Sequence, residues 1–330
     1  MYKIDINKLN PNINVTDVSD WSKQKWISHR VNALGCSDLG TALGFNPWSE
    51  PAILFAQKVG IIPTGTEDNM AMFMGRVMEP VIANLWKHWD INEPDWSECS
   101  KNLESGIVKR ELYTPSVYVT NPKYPYLMGG PDGLFMHEGK LAVLEIKTIS
   151  KYSADQYESG IPTSYIFQIH GYMMLFDADY AEIALLQDGR ELTVVPFNRD
   201  ERIVKIIEEQ CSRFWQNILV AREFYLDQKD ISHLEPEPTD TKVYEQFLLD
   251  RFKAQDDLEV PCSKSAQFWI DKFISFRNKE NEAVNRKRFY SNKIKYFMGE
   301  ATKITDIDGA NVTWRATRDG KSRRFNAREI

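Results

Sequence analysis

Apolar positions along the chain change period several times, and each change marks an element. WSKQKWISHRVNAL (21–34) has helical spacing, with Trp21 and Trp26 on the expected inner side. GCSDLGTALGFNPWSE follows, where Ser37 or Asp38 can cap a short helix ending near Gly44. PAILFAQKVG reads as a helix stopped by Gly60, with a loop over 61–69. The span 71–89, AMFMGRVMEPVIANLWKHW, is helical again with Pro80 inside it, so the helix is expected either to start near Pro80 or to bend there. Short strand-like runs fill 108–150: IVKRELYTPSVYVT, YLMGGPDGLFMHEG and KLAVLEIKT. After Pro162 the period returns to helical in TSYIFQIHGYMMLFD. YAEIALLQ and RELTVVPF then form a hairpin across Asp188-Gly189, and a helix runs from about 199 to 228.

Strands interspersed with helices imply a mixed α/β (α+β) core. The Pro-rich stretch HLEPEPTDTK marks a linker, so the expected organisation is a first domain over 1–232, a linker over 233–242 and an extension over 243–330. That extension reads as amphipathic helix broken near Glu259–Ser263, then a small β-meander with turns at Asp308-Gly309 and Asp319-Gly320. FWIDKFISF supplies a face suited to packing or oligomer contact. NRKRFYSNKIKYF alternates basic and aromatic residues in a way that packing or DNA contact would both use.

Composition narrows the class. At 330 residues, 42% hydrophobic and 27% charged, the chain is an ordinary globular protein, which excludes disordered, collagen-like and disulfide-framework readings. Cys36, Cys99, Cys211 and Cys262 show no close pair, which argues against zinc and for reduced thiols in the cytoplasm. No apolar run has membrane-span length, so no membrane partner is expected. Net charge is −6, yet from Lys264 onward 16 basic residues face 8 acidic ones, a net +8 that leaves −14 on the rest. Such asymmetry fits either a solvated helix face or contact with an anionic partner.

The candidate chemistry lies in GGPDGLF followed by LEIKT. On a strand, Leu141, Val143, Glu145 and Lys147 share one face, which starts apolar and ends in an acid and a base. Charges on a Val/Leu-rich strand are unfavourable unless paired or metal-bound. Asp132, after Gly129, Gly130 and Pro131, sits at a sharp turn that can present its carboxylate to the neighbouring strand. Two carboxylates and a lysine suit Mg²⁺-assisted phosphodiester hydrolysis. An exposed edge strand with a Glu–Lys cross-strand pair would have the same local sequence.

Pro131-Asp132 with Glu145-Ile146-Lys147 resembles the PD-(D/E)xK nuclease motif. GCSDLGTALGFNPWSEPAILFAQKVG, MGRVMEPVIANLW and IPTSYIFQIHGYMMLFD resemble, in the same order, further blocks of one branch, the YqaJ-type viral recombinases of the phage lambda exonuclease-like family. The resemblance spans about residues 28–180 and implies a restriction-endonuclease-like core, a central mixed sheet flanked by helices. It implies that Asp132, Glu145, the backbone carbonyl of Ile146 and Glu79 bind Mg²⁺ (or Mn²⁺) and that Lys147 positions the attacking water. Gln168 and Tyr172, at i and i+4, would face that site, and Arg30 with Ser37 would hold a 5′-terminal phosphate. A first-turn glutamate at a helix dipole and a plain N-cap are the local alternatives for Glu79 and Ser37.

The implied activity is a cytoplasmic, phage- or prophage-encoded exonuclease. It would resect double-stranded DNA from 5′ ends to give 3′ single strands for recombination by a phage single-strand annealing protein. Relatives form a ring trimer; the long extension here departs from them. An endonuclease on the same fold, or a non-catalytic DNA-binding or recombinase-loading protein, are the alternatives.

Overall fold

Helix caps, glycine stops and strand alternation place most boundaries close to where the sequence puts them. The computed structural model describes residues 4–65, 69–92, 94–150, 160–254 and 258–329; residues 66–68 of the expected 61–69 loop lie outside that set. The chain divides into two compact units, Met1–Lys253 and Ala254–Ile330.

The helices of the first unit are α1 (Ile6–Leu9), α2 (Lys23–His29), α3 (Leu39–Ala42), α4 (Pro51–Val59), α5 (Met70–His88) and α6 (Trp96–Glu104). They continue with α7 (Thr163–Phe176), α8 (Glu201–Ile206), α9 (Ser212–Leu226) and α10 (Lys242–Arg251). Strands β1 (Asn14–Asp17), β2 (Leu34–Gly35), β3 (Val117–Thr120) and β4 (Leu127–Gly129) form one mixed sheet in the order β1-β3-β4-β2. Strands β5 (Gly133–His137), β6 (Lys140–Ile149), β7 (Tyr180–Gln187) and β8 (Glu191–Asn198) form a second, in the order β5-β6-β7-β8. In it β6 runs antiparallel to β5 and parallel to β7. The expected central mixed sheet is thus two four-stranded sheets, because Gly130–Asp132 turns the chain out of β4 before β5 begins.

The second sheet is covered on both faces. Val143, Ala181, Ile183 and Leu185 pack in one cluster with Ile169, Met173 and Phe176 of α7. Leu144, Ile146, Ala184 and Leu186 pack in another with Ile82, Ala83 and Trp86 of α5. Both clusters use residues of one strand at alternate positions, as a sheet buried on two faces requires. Beta-6 is therefore interior, which rules out the exposed-edge alternative for its Glu and Lys. Pro80 stands inside α5, which keeps its helical course over 19 residues.

One expectation is corrected. Trp26 is 38% exposed, and no residue of α2 is buried, because the Trp26 ring lies over the Arg30 guanidinium, 4.8 Å from its centroid, instead of in the core. The first compact unit runs on past the Pro-rich stretch to Lys253. Tyr244 and Phe247 of α10 pack on Ala52 and Ala56 of α4, which ties the residues after the Pro-rich stretch to the first unit.

The second unit holds α11 (Lys264–Met298), a 35-residue helix capped by Ser263, and a sheet of β9 (Lys303–Ile304), β10 (Ala310–Ala316) and β11 (Arg323–Glu329) in the order β11-β10-β9. The meander matches the expected turns. Within FWIDKFISF, Phe268, Trp269, Phe273 and Phe276 are exposed, and Met298 is the one buried residue of α11.

Candidate active site

Strand alternation carries β6 from apolar to charged on the face that meets α7. Glu145 follows Val143 on that face and is 2% exposed. One carboxylate oxygen, Oε1, accepts hydrogen bonds from Lys147 Nζ and, at 2.5 Å, from Gln168 Nε2 on α7. The other, Oε2, is buried and has no hydrogen-bond partner among the described residues.

The turn before β5 brings the second carboxylate alongside. Gly130 is required there: a Cβ at that position would stand 2.2 Å from the Val117 carbonyl oxygen of β3. A Cβ at Gly129 would meet the Tyr172 ring at 2.7 Å. The β5–β6 ladder ends at the Gly133–Leu144 pair, and Asp132 Oδ2 then accepts from the Ile146 N–H at 2.7 Å, extending the ladder by a side chain. A strand residue presents its N–H and C=O to the same edge, so the Ile146 carbonyl faces the Asp132 side.

Charge is concentrated here and poorly solvated. Burial, then the Asp132 carboxylate, pushes the Glu145 carboxyl up to about 8. Burial also raises Asp132 above the usual carboxylate range, against the pull of Lys147. Burial followed by the charge of Asp132 raises Glu79 of α5, which places that acid within electrostatic reach of the pair. Burial opposes charge on Lys147, and the Glu145 and Asp132 carboxylates outweigh it, so the ammonium is held above its ordinary value.

Such a cluster repels itself and leaves one buried oxygen without a partner, which is the donor set a hard divalent cation completes. Among the described residues no three His, Cys, Asp or Glu side chains gather tightly enough to hold a metal ion alone. Mg²⁺ does not require that, since it commonly binds through one or two carboxylates and keeps several waters. Asp132, Glu145 and the Ile146 carbonyl fit this need, and Glu79 lines the same hollow as Asp132.

Tyr172 sits beside the turn that leads to Asp132. Its hydroxyl donates to the Gly130 carbonyl at 3.0 Å, and its ring backs Gly129, so it braces the turn that carries Asp132. His170, buried on the same helix, is saturated: Nδ1 bonds the Ile166 carbonyl and Nε2 accepts from the Asp200 N–H. Cys36 is a buried thiol pushed well up by burial, which leaves it inert as a nucleophile.

Arg30 and Ser37 do come together. Arg30 Nη2 donates to Ser37 Oγ at 3.2 Å and to Asp38 Oδ1 at 2.9 Å. They line a hollow of about 370 Å³ whose walls include Trp26, Thr41 and Lys58. Ser37 lies within the 3₁₀ turn Cys36–Asp38, and it is Asp38 that caps the turn by accepting from the Gly35 N–H at 2.9 Å. Asp38 also meets Lys58 Nζ at 2.8 Å, and Lys58 further donates to the carbonyls of Arg30 and Ala33. Burial acts to raise the Asp38 carboxyl, but Lys58 and Arg30 outweigh it and hold it below the usual range.

Asp38, Lys58 and Trp26 are the residues that motif reading left aside. A signal for Lys58 existed: in PAILFAQKV it falls four residues after Leu54, on the apolar stripe of its helix. Trp26 lines this hollow and also a second one, of about 460 Å³, that contains Glu79 and Asp132.

Residues 25–179, which contain Arg30, Ser37, Glu79, Asp132, Glu145, Lys147, Gln168 and Tyr172, match the YqaJ-like viral recombinase domain. Over this region the chain is similar to that family. Over 287 residues the chain is 23% identical to the uncharacterized protein YqaJ of Bacillus subtilis (strain 168), covering 86% of this chain and 80% of that one. Among solved structures it is similar to an alkaline exonuclease from Laribacter hongkongensis, at 16% identity and TM-score 0.45, covering 62% of this chain and 97% of that one. A phage-related exonuclease from Haemophilus somnus 129PT is similar at 16% identity and TM-score 0.40, covering 60% of this chain and 96% of that one. No helix among the described residues is long and apolar enough to cross a membrane.

Proposed function

We propose that the chain is a divalent-metal-dependent deoxyribonuclease that degrades duplex DNA from its ends, in the 5′→3′ sense, leaving 3′ single strands for recombination by strand annealing. The observation that carries the reading is the buried Glu145 carboxylate, shared by Lys147 and Gln168 on one oxygen and without a partner among the described residues on the other, beside Asp132 inside a YqaJ-like domain.

A bound Mg²⁺ or Mn²⁺ ion would supply charge to offset the developing phosphate anion and to lower the proton affinity of water. Asp132, Glu145 and the Ile146 carbonyl would hold it. Lys147, anchored by Glu145, orients the attacking water toward phosphorus. Hydrolysis adds the water's hydroxyl to phosphorus and breaks the bond to the 3′ oxygen, which leaves with the proton. Gln168 holds Glu145 in its rotamer, and Tyr172 keeps the Asp132 turn in place. Arg30 offers a guanidinium and Ser37 a hydroxyl to a terminal phosphate, a fork-and-hydroxyl pairing suited to that dianion. Trp26, exposed on the wall of both hollows, is suited to stack against the terminal base.

Linear duplexes labelled at either end, with and without 5′-phosphate, test this beside a closed circle and the Lys147→Ala variant. The expected result is metal-dependent loss from 5′-phosphorylated ends, an intact circle, and a rate lowered by roughly 10²–10³-fold in the variant, the scale of removing a charge that acts on the transition state. Cutting of the circle would replace the proposal by an endonuclease; no metal-dependent loss from any substrate would leave a DNA-binding protein. Arg30→Gln is expected to reduce the preference for 5′-phosphorylated over 5′-hydroxyl ends by about 10- to 100-fold, the worth of one charge-assisted bond. The same ratio measured on the two ends checks it, and an unchanged ratio removes Arg30 from end recognition.

A further inference from the structure

We infer that the outer face of the C-terminal three-stranded sheet is a phosphate-binding surface for duplex DNA. The register sorts its residues without ambiguity. Ile304 pairs with Val312 and Trp314 with Phe325, and these apolar residues share the face on which Phe325 and Ala327 join Val284, Tyr290 and Ile294 of α11 around a hollow of about 500 Å³. Alternation sends the intervening residues to the other side. There Lys303 is opposite Thr313, Thr313 opposite Asn326, Arg315 opposite Arg324, and Asn311 opposite Arg328.

Four cations and three neutral hydrogen-bonding side chains therefore occupy one face. It carries no acid, since Glu329 pairs with Ala310 in the inner alternation. Lys303, Arg315, Arg324 and Arg328 are all exposed, and among the described residues none of them forms an ion pair. Like charges directly opposite on antiparallel strands destabilise the pair, so Arg315 against Arg324 is unfavourable for folding and is relieved by a polyanion.

The chemistry of the face selects the occupant. It lacks an aromatic side chain, which argues for backbone contact over base stacking, and it lacks an apolar one, which argues against insertion into a lipid surface. The choice of DNA rests on the nuclease reading above, under which the chain handles duplex at the first unit.

The test is binding of the full-length chain to a short blunt duplex in EDTA, followed by fluorescence anisotropy over a salt series. The variant carries R315Q, R324Q and R328Q together, and a control carries R315K, R324K and R328K. Each lost phosphate contact reduces the salt slope by about 0.9, so the glutamine variant is expected to be shallower by about 2–3 and to bind at least roughly 10-fold more weakly. The lysine set, which keeps charge on the same backbone, is expected to retain the slope. An unchanged slope and affinity in the glutamine variant overturns the proposal. So does failure of the parent to bind duplex, or a glutamine variant that loses binding to phosphatidylglycerol vesicles but not to DNA. Cleavage is not read, so a parent that binds and never cuts would sink the nuclease reading and leave this result standing.

Discussion

Glu145→Gln is expected to lower metal-dependent cleavage by on the order of 10³-fold while leaving the metal-free protein at least as stable as the parent at pH 8 and above. The two halves of this result have one cause. Glu145 is buried on an interior strand, and its charge is disfavoured first by burial and then by Asp132, so its carboxyl is pushed up to about 8 from an ordinary 4.5. A carboxyl whose folded value lies above its unfolded value contributes stability below about 4.5 that is lost as pH rises through about 8. Glutamine keeps the shape and an oxygen for Lys147 and Gln168, and it cannot ionise. The variant is therefore expected to lose much of the fall in metal-free stability between those two pH values, a difference of roughly 2–4 kcal/mol.

Divalent ions reverse the sign, because they favour the charged carboxylate. Melting of the parent is expected to shift upward with Mg²⁺ or Mn²⁺, by an amount corresponding to about 2.7 kcal/mol at a hundredfold excess over Kd. That of Glu145→Gln should barely move. Thermal melts across pH, with EDTA or with metal, read all of this without a DNA substrate. A variant that is inactive and also several kcal/mol less stable in EDTA would mean that Glu145 is a structural ion-pair partner of Lys147 and not a metal ligand.

Local sequence carried most of the elements, since caps, Gly stops and period changes act within a few residues. The Asp188-Gly189 hairpin, the α7 helix after Pro162 and the terminal meander all lie where turn chemistry puts them. The core of the candidate site was legible for a similar reason: Glu145 and Lys147 are two residues apart on one strand, and Asp132 follows a turn that glycine makes tight. Long-range contacts were not legible. Nothing near Trp26 states that Arg30 and Tyr118 will hold its ring at the surface. Nothing in 243–253 states that Tyr244 and Phe247 will find Ala52 and Ala56 some 190 residues earlier. Helix spacing puts Gln168 and Tyr172 on one face but does not state that the Tyr172 hydroxyl will reach the Gly130 carbonyl.

Asp38→Ala is expected to lower stability by about 3–5 kcal/mol and to remove the preference for 5′-phosphorylated ends, although Asp38 need not touch the phosphate. Its carboxylate accepts from the Gly35 N–H, Arg30 Nη2 and Lys58 Nζ, all within 2.9 Å. Lys58 is 3% exposed, and without Asp38 its ammonium keeps only the carbonyls of Arg30 and Ala33. Removing one partner of a buried pair strands the other charge, which is why the cost exceeds the net worth of the pair itself. The same carboxylate fixes one arm of Arg30 toward Ser37, so its loss frees the guanidinium to rotate away from the hollow. The acid response follows from the direction of the shift: the Asp38 carboxyl lies below its ordinary 3.8, so its contribution is present above that pH and is lost as pH falls through the lowered value. Urea melts of the parent, Asp38→Ala and Asp38→Asn separate structure from recognition, because asparagine keeps the acceptor for Gly35 and removes the charge. If Asp38→Asn retains the fold yet loses phosphate preference, the carboxylate orients Arg30 for end binding. If it retains both, the hollow around Arg30 is held by hydrogen bonds alone and the charge of Asp38 serves only to neutralise Lys58.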